Sequence, residues 1–236
     1  MATSKNISET FREGIKTLSP AYFALVMATG IISIGAYLMD MEWIAIILFA
    51  LNNLFFIVLW ILTILRLAWY FPDFKNDLTN HIAGTGFFTI VAGTCVLGIQ
   101  YIILFENFEI AVSLLTLGIL LWLFFTYTIF TTLTTQQNKP TLDKGITGGW
   151  LTAIVATQSV SILSALIASH VSQPYRIEVN FFALSMWLWG GMFYIWMISL
   201  IFYRYTFFNF FPGDLAPPYW LNMGAMAIST LGGSVL

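Results

Sequence analysis

The chain has 236 residues, of which 59% are apolar, 17% aromatic and 8% charged, and its formal net charge is −2. A soluble domain carries about 25% charged residues. This composition therefore excludes a water-soluble fold and indicates an all-α integral membrane protein. It has no basic run that would suit a nucleic-acid partner, and the single cysteine, Cys95, excludes an internal disulfide and a cysteine-based metal cluster.

Long apolar segments follow a polar N-terminal segment, residues 1–19. A bilayer core about 30 Å thick takes about 20 apolar residues from a helix that crosses it. Each segment is bounded by turn residues or by charges. They predict one transmembrane domain, 20–236, with seven spans near residues 20–38, 43–70, 82–104, 110–133, 148–169, 179–205 and 217–236.

The basic residues predict the orientation of the chain in the membrane. The connections on the N-terminal side carry eight of the nine lysines and arginines, and the opposite side has Arg176. Basic residues accumulate in cytoplasmic loops. We therefore expect a multi-pass protein of the plasma membrane, the inner membrane in a bacterium, with a cytoplasmic N-terminus. The eight are Lys5, Arg12, Lys16, Arg66, Lys75, Lys139, Lys144 and Arg204.

The odd-numbered and even-numbered spans differ in composition. Span 148–169 contains twelve Gly, Ala, Ser or Thr among its 22 residues, whereas span 179–205 contains ten aromatic residues. Small residues allow helices to approach closely, and bulky ones suit the lipid face. The pattern predicts that the odd spans are inner helices and the even spans outer helices, although small residues also occur in ordinary helix packing.

A short pattern recurs along the inner spans every 64 residues. Residues 26–30, Val-Met-Ala-Thr-Gly, correspond to residues 90–94, Ile-Val-Ala-Gly-Thr, and to residues 154–158, Ile-Val-Ala-Thr-Gln. Each unit holds an inner and an outer span, which predicts helical hairpins repeated around an axis normal to the membrane. The inner spans would enclose a central pore and pack together at Ala28, Ala92, Ala156, Gly30 and Gly93.

The predicted pore has hydroxyl and amide groups available, because no charged residue lies in the middle of a span. Such groups can partly replace the hydration shell of an anion without binding it tightly. Alternatively, each of them bonds a carbonyl of its own helix or of a neighbouring helix. The candidate pore-lining residues are Thr29, Ser33, Thr94, Thr157, Gln158, Ser161, Ser164 and Ser229.

The sequence offers no signature of an enzyme. We find no phosphate-binding glycine loop, no nucleophile paired with a base and no pair of carboxylates within a span. His81 and His170 fall at opposite membrane faces in the predicted topology, so they do not form a shared metal site. We expect no catalytic residue, no metal and no cofactor.

Several segments resemble a known family. Residues 18–30, LSPAYFALVMATG, are similar to the first helix of the tellurite-resistance/C4-dicarboxylate transporter family, which includes fungal malate permeases and plant slow anion channels. Residues 148–159 resemble its fifth helix and residues 219–229 its seventh. The resemblance implies ten helices in five hairpins around a central pore, and a homotrimer. The pore of this family is closed by a phenylalanine of the ninth helix, for which this sequence has no counterpart.

We expect the protein to transport small anions, in the manner of a channel. The candidate substrates are C4-dicarboxylates such as malate, tellurite or sulfite oxyanions, and chloride-like anions. A proton-coupled dicarboxylate carrier is the alternative within transport, and a seven-helix receptor or signalling module is the alternative outside it. The lack of mid-span charges disfavours the first, and the hairpin repeat disfavours the second.

The last expectation concerns the length of the chain. A repeat of 64 residues gives fewer than four units in 236 residues, and the sequence stops within the seventh span, 217–236. We therefore expect the chain to be an incomplete version of its functional unit. The competing interpretation is a seven-helix protein that completes its ring by oligomerising.

Overall fold

The computed structural model describes residues 7–209, 211–214 and 216–236, which are mostly helical. As predicted for an all-α protein, no strand occurs among them. The α-helices within these residues are α1 (Ile7–Lys16), α2 (Ala24–Leu38), α3 (Glu42–Trp69), α4 (Phe71–Leu78), α5 (Phe88–Phe105), α6 (Phe108–Thr135), α7 (Leu142–Gly145), α8 (Thr152–Ala168), α9 (Tyr175–Phe207) and α10 (Leu221–Val235).

Six helices in the described part of the chain are long and apolar enough to cross a membrane, where the sequence predicted seven spans. The seventh segment is helical from Pro217 to Val235, but it is not among the six. Glycines, serines and Asn222 lower its hydropathy, so its membrane crossing stays a prediction. The six are Pro20–Leu38, Glu42–Trp69, Gly84–Phe105, Phe108–Thr135, Gly148–Ala168 and Tyr175–Phe207.

We call α2, α5, α8 and α10 the inner helices, and each begins with a four-residue 3-10 turn. These turns are Pro20–Phe23, Gly84–Phe87, Gly148–Leu151 and Pro217–Trp220. The first three start 64 residues apart, which agrees with the predicted repeat. Proline suits the first position of a helix because it lacks an N–H that would otherwise have no partner. The segments that carried the family resemblance, residues 18–30, 148–159 and 219–229, cover the starts of α2, α8 and α10.

The inner helices form an arc in chain order, since α2 packs against α5, α5 against α8, and α8 against α10. The two middle members are almost enclosed: 94% of the Gly148–Ala168 span and 78% of the Gly84–Phe105 span are buried. The Pro20–Leu38 span is 28% buried, no more than an outer span. The predicted inner position is confirmed for α5 and α8, whereas α2 and α10 are the ends of the arc and each leave one face uncovered.

We call α3, α6 and α9 the outer helices, and each packs through buried residues spaced by seven. This spacing is typical of helices that cross at a shallow angle. A serine of an inner helix bonds to the first and to the third of these seams: Ser33 of α2 donates to the carbonyl of Ala45, and Ser161 of α8 donates to that of Ala183. The seams are Ala45, Asn52, Leu59 and Arg66; Ala111, Gly118 and Phe125; and Ala183, Gly190, Met197 and Arg204.

Two buried arginines close the first and third hairpins in the same way. Arg66 Nη2 lies 2.6 Å from Asp77 Oδ2, and its Nε donates to the carbonyl of Lys16. Arg204 Nη2 lies 3.6 Å from Asp214, and its Nη1 donates to the carbonyl of Ile146. Both arginines stand in the last turn of an outer helix, where the helix dipole favours a cation. Arg66 therefore joins α3 to the segments that precede α2 and α5. Arg204 joins α9 to the segments that precede α8 and α10.

Candidate functional site

A cleft runs between the two ends of the arc, with α5 and α8 at its back. Its volume is about 420 Å³, and in the described part of the chain every side chain that lines it is apolar. Met27 and Ala28 of α2 face Leu221 and Gly224 of α10 across it. The remaining lining residues are Ile31, Ile32, Val96, Val155, Ala227, Ile228 and Leu231.

A second cavity, which we call the mouth cavity, lies at the N-terminal ends of the inner helices and has a volume of about 580 Å³. The 3-10 turns of all four inner helices contribute to it. Met27 and Leu221 line both this cavity and the cleft, so the two spaces adjoin. The remaining lining residues are Ser19, Ala21, Ala24, Asn80, Ile82, Ala83, Thr85, Gly86, Thr89, Thr147, Gly149, Thr152, Pro217 and Pro218.

The electrostatic character of the mouth cavity follows from its backbone. The first N–H groups of a helix have no partner within the helix, and the helix dipole places a partial positive charge there. Such ends suit anions. Four of them surround one cavity here, so their fields add, and none of the described residues that line the cavity is ionisable. The arrangement favours an anion over a cation without fixing either one tightly.

Two hydroxyl groups at the mouth are available as donors. Ser19 Oγ accepts the backbone N–H of Ala21, and Thr147 Oγ1 accepts that of Gly149. A hydroxyl that accepts an N–H still carries its own hydrogen. By contrast, Thr89 donates to the carbonyls of Pro20 and Gly86, which pins the first turn to the second.

The eight candidate pore-lining residues lie elsewhere, since none of them lines the cleft or the mouth cavity. Thr29 is half-buried on α2. The other seven donate to helix carbonyls, because a hydroxyl or amide without a partner is costly in an apolar surrounding. Their role in lining a pore stays a prediction without support from either cavity. The acceptors are, in order for Ser33, Thr94, Thr157, Gln158, Ser161, Ser164 and Ser229, the carbonyls of Ala45, Ile90, Ala153, Trp187, Ala183, Val160 and Ala225.

Four of the five residues predicted to lie where inner helices crowd together are buried. Ala92 and Ala156 are at most 1% exposed, and Gly30 and Gly93 are buried on α2 and α5. Ala28 is the exception, because it is exposed and faces the cleft. α2 stands at the end of the arc and has no inner helix on that side, so close packing at Ala28 stays a prediction.

The sequence reasoning missed the mouth cavity. Its signal was present in the paired segments 18–23 and 215–220, which share a leucine, a proline and a tyrosine at matching positions. The match indicates a repeated helix start, but the sequence does not show that these starts meet in one place. The turns that precede α8 and α10 approach each other closely at Gly148, where an added Cβ would lie 2.5 Å from the backbone of Pro218.

Comparisons with known proteins show a matching family and two similar proteins. Residues 17–236 match the model of the voltage-dependent anion channel family. Two uncharacterized transporters of Methanocaldococcus jannaschii are similar to the chain. One is 25% identical over 225 residues, which cover 89% of this chain and 62% of the relative. The other is 26% identical over 221 residues, which cover 89% of this chain and 61% of the relative. The chain thus spans about three fifths of the length of these relatives.

Proposed function

Because the chain belongs to the voltage-dependent anion channel family, we propose that it conducts small anions across the membrane through the mouth cavity and the adjoining cleft. One observation carries the proposal: four inner helices point their N-termini at one cavity. This field lowers the free energy of an anion in the cavity and raises that of a cation. The names of the two relatives, which are both transporters, agree with transport.

The route would begin with polar groups and continue through an apolar section. Met27 and Leu221 stand where the two spaces adjoin, and the cleft beyond them is lined by apolar side chains alone. Apolar constrictions in channels act as gates by excluding water. We therefore place a barrier to ion passage beside Met27 and Leu221, and this barrier does not depend on a charge.

Conduction in the manner of a channel is favoured over coupling to protons. A proton relay through the membrane requires ionisable side chains along the route. The cleft lining contains none, and the two buried arginines, Arg66 and Arg204, stand at helix ends in ion pairs. A proton-coupled dicarboxylate carrier is therefore the less favoured candidate.

Helix N-termini and apolar walls recognise charge and size rather than the shape of one substrate. We propose chloride-like anions, C4-dicarboxylates such as malate, and sulfite or tellurite oxyanions as the candidates. We further propose a plasma-membrane location with the N-terminus in the cytoplasm, from the distribution of basic residues. A homotrimer is proposed from the family resemblance.

The test is a measurement of reversal potentials after reconstitution of the protein into planar bilayers. Chloride, nitrate, malate and sulfite are exchanged in turn on one side with the cation held constant, and then the cation is exchanged with the anion held constant. We expect the potential to follow the anion gradient. A potential that follows the cation gradient and ignores the anion would contradict the proposal.

A further inference from the structure

A third cavity lies on the N-terminal side of the helices, at the surface, between the segment that leads into α5 and the connection from α6 to α8. Its volume is about 470 Å³. Two lysines, Lys139 and Lys144, line it together with His81 and the amides of Asn80 and Asn138. We call it the basic pocket.

The charge of the basic pocket is concentrated compared with the rest of the chain. It contains two of the nine lysines and arginines of the chain, and no acidic residue occurs among the described residues that line it. Lys139 is held in place, since its Nζ donates to the carbonyl of Thr134 at the end of α6 at 2.9 Å. An ammonium group has three N–H donors, so Lys139 keeps two for a ligand. Asp143 is next to Lys144 in sequence but does not line the pocket.

The neutral groups of the pocket are donors as well. Burial and the neighbouring charge of Lys139 lower the pKa of His81, which favours the neutral imidazole, a form with one N–H to donate. The side-chain amide of Asn138 adds two N–H groups. Ammonium and amide donors around a cavity of this size match the acceptors of a small oxyanion, such as a sulfate-like, phosphate-like or carboxylate group.

The basic pocket adjoins the proposed route. Asn80 and Ile82 line both this pocket and the mouth cavity. Asn80 Oδ1 also accepts the backbone N–H groups of Ile82 and Ala83, and this fixes the wall between the two spaces. A ligand bound by the two lysines would therefore lie in a cavity that is next to the mouth cavity and its helix N-termini.

We propose that the basic pocket captures a dissolved oxyanion and delivers it to the mouth cavity. This inference rests on the proposed function for the delivery step, while binding in the pocket is independent of it. Two ammonium groups raise the local anion concentration at the start of the route, where the channel itself offers only partial charges. The ligand differs from an acidic lipid headgroup in its source, since it comes from water.

Binding is tested by reductive methylation of lysines, measured by mass spectrometry on the whole chain in phosphatidylcholine nanodiscs. Sodium sulfate is the probe, with ionic strength held constant by sodium chloride. We expect sulfate to slow the modification of Lys139 and Lys144 about threefold and to leave Lys75 unchanged. Lys75 is the matched control, because it is an exposed lysine of α4 that does not line the pocket.

The variant Lys144→Gln should abolish the protection of Lys139, whereas Lys75→Gln should leave it intact. Equal protection of all three lysines, or of none, overturns the proposal. A second preparation contains phosphatidylglycerol and no sulfate. Protection of Lys139 and Lys144 in that preparation, with no further effect of added sulfate, would assign the pocket to a lipid headgroup and overturn capture from water.

Delivery is tested by uptake of labelled sulfate or malate into vesicles. The double variant Lys139→Gln/Lys144→Gln should raise the half-saturating concentration about tenfold, with the maximal rate unchanged, and Lys75→Gln should match the original protein. Uptake that is the same in the double variant and the control overturns delivery. No anion uptake by the original protein contradicts the proposed function instead, and sulfate protection of the lysines would then still support the pocket.

Discussion

The helices α2 and α8 start from the same repeat and end in opposite surroundings. Each follows a 3-10 turn capped by a hydroxyl, of Ser19 in one case and Thr147 in the other, and each carries an alanine at the fifth position of its α-helix. Yet the α8 span is 94% buried and the α2 span 28%. The repeat therefore determines the shape of each helix, whereas the place in the arc determines what its residues touch.

The difference has a simple geometric cause. α8 contacts α5, α6, α9 and α10, so neighbours cover every side of it. α2 contacts mainly α3 and α5, and its remaining face borders the cleft. Equivalent substitutions in the two helices should thus act on different properties, on stability in α8 and on conduction in α2.

The largest contrast is expected between Ala156→Trp and Ala28→Trp. Ala156 is 0% exposed, and a tryptophan there must displace neighbours on all sides, at a cost of about 3 kcal/mol or more. We expect Ala156→Trp to prevent recovery of a monodisperse protein in detergent. Ala28→Trp should fold, because its side chain enters the cleft, and should lower anion conductance.

Size-exclusion chromatography and bilayer recordings of both variants check this contrast. Leu120→Trp, at an exposed position of the outer helix α6, is the control for a tryptophan in a membrane protein. Equal recovery of Ala156→Trp and Leu120→Trp would refute the enclosed position of α8. A well-folded Ala28→Trp with unchanged conductance would refute the cleft as the route.

A smaller effect is expected where the 3-10 turns meet. A Cβ at Gly148 would lie 2.5 Å from backbone atoms of Pro218, and a backbone segment cannot turn aside as a flexible side chain does. Gly148→Ala should therefore lower the free energy of unfolding by about 1–3 kcal/mol. Gly35→Ala, on α2, meets no atom within 4 Å and should be neutral or should stabilise by up to about 1 kcal/mol. Thermal unfolding in detergent compares the two, and a loss that is equal in both would show that the turns do not pack as described.

The helical elements were predictable from the sequence because they depend on local composition. Apolar length predicted the six long spans, and the regular return of one motif predicted the hairpin repeat. The directions of Thr157, Ser161 and Ser164 were not predictable in this way. Their spacing places them on one face of α8, but α8 has neighbours on every face, so the pattern cannot separate a face toward a pore from a face toward another helix.

The mouth cavity was missed for a related physical reason. Its electrostatic character comes from the dipoles of helix starts, which any sequence of residues in a helix supplies, so it leaves no mark in side-chain chemistry. The segments 20–23 and 217–220 indicate helix starts, but their meeting depends on how the hairpins pack. Contacts between distant segments, such as that of Gly148 with Pro218, are decided by the tertiary fold.

The smallest effect concerns the amide pair that joins α3 to α5 near the α2 end of the arc. Asn52 Nδ2 donates to Gln100 Oε1 at 2.5 Å, and both side chains are 0% exposed. Their other amide atoms, Asn52 Oδ1 and Gln100 Nε2, are buried and have no hydrogen-bond partner among the described residues. Hydrogen bonds between membrane helices contribute about 0.6 kcal/mol on average and up to about 1.7 kcal/mol. Because the pair already leaves two polar atoms unsatisfied, its net contribution should lie near the lower value.

A double-mutant cycle with Asn52→Leu and Gln100→Leu measures this contribution by unfolding in detergent. Each single variant leaves one buried amide without its partner, so we expect each to destabilise more than the double variant does. Asn53→Leu, which removes the bond from Tyr101 Oη to the next asparagine along α3, is the comparison at a half-buried site. If the two single losses simply add in the double variant, the amides do not interact, and the contact between α3 and α5 does not depend on their hydrogen bond.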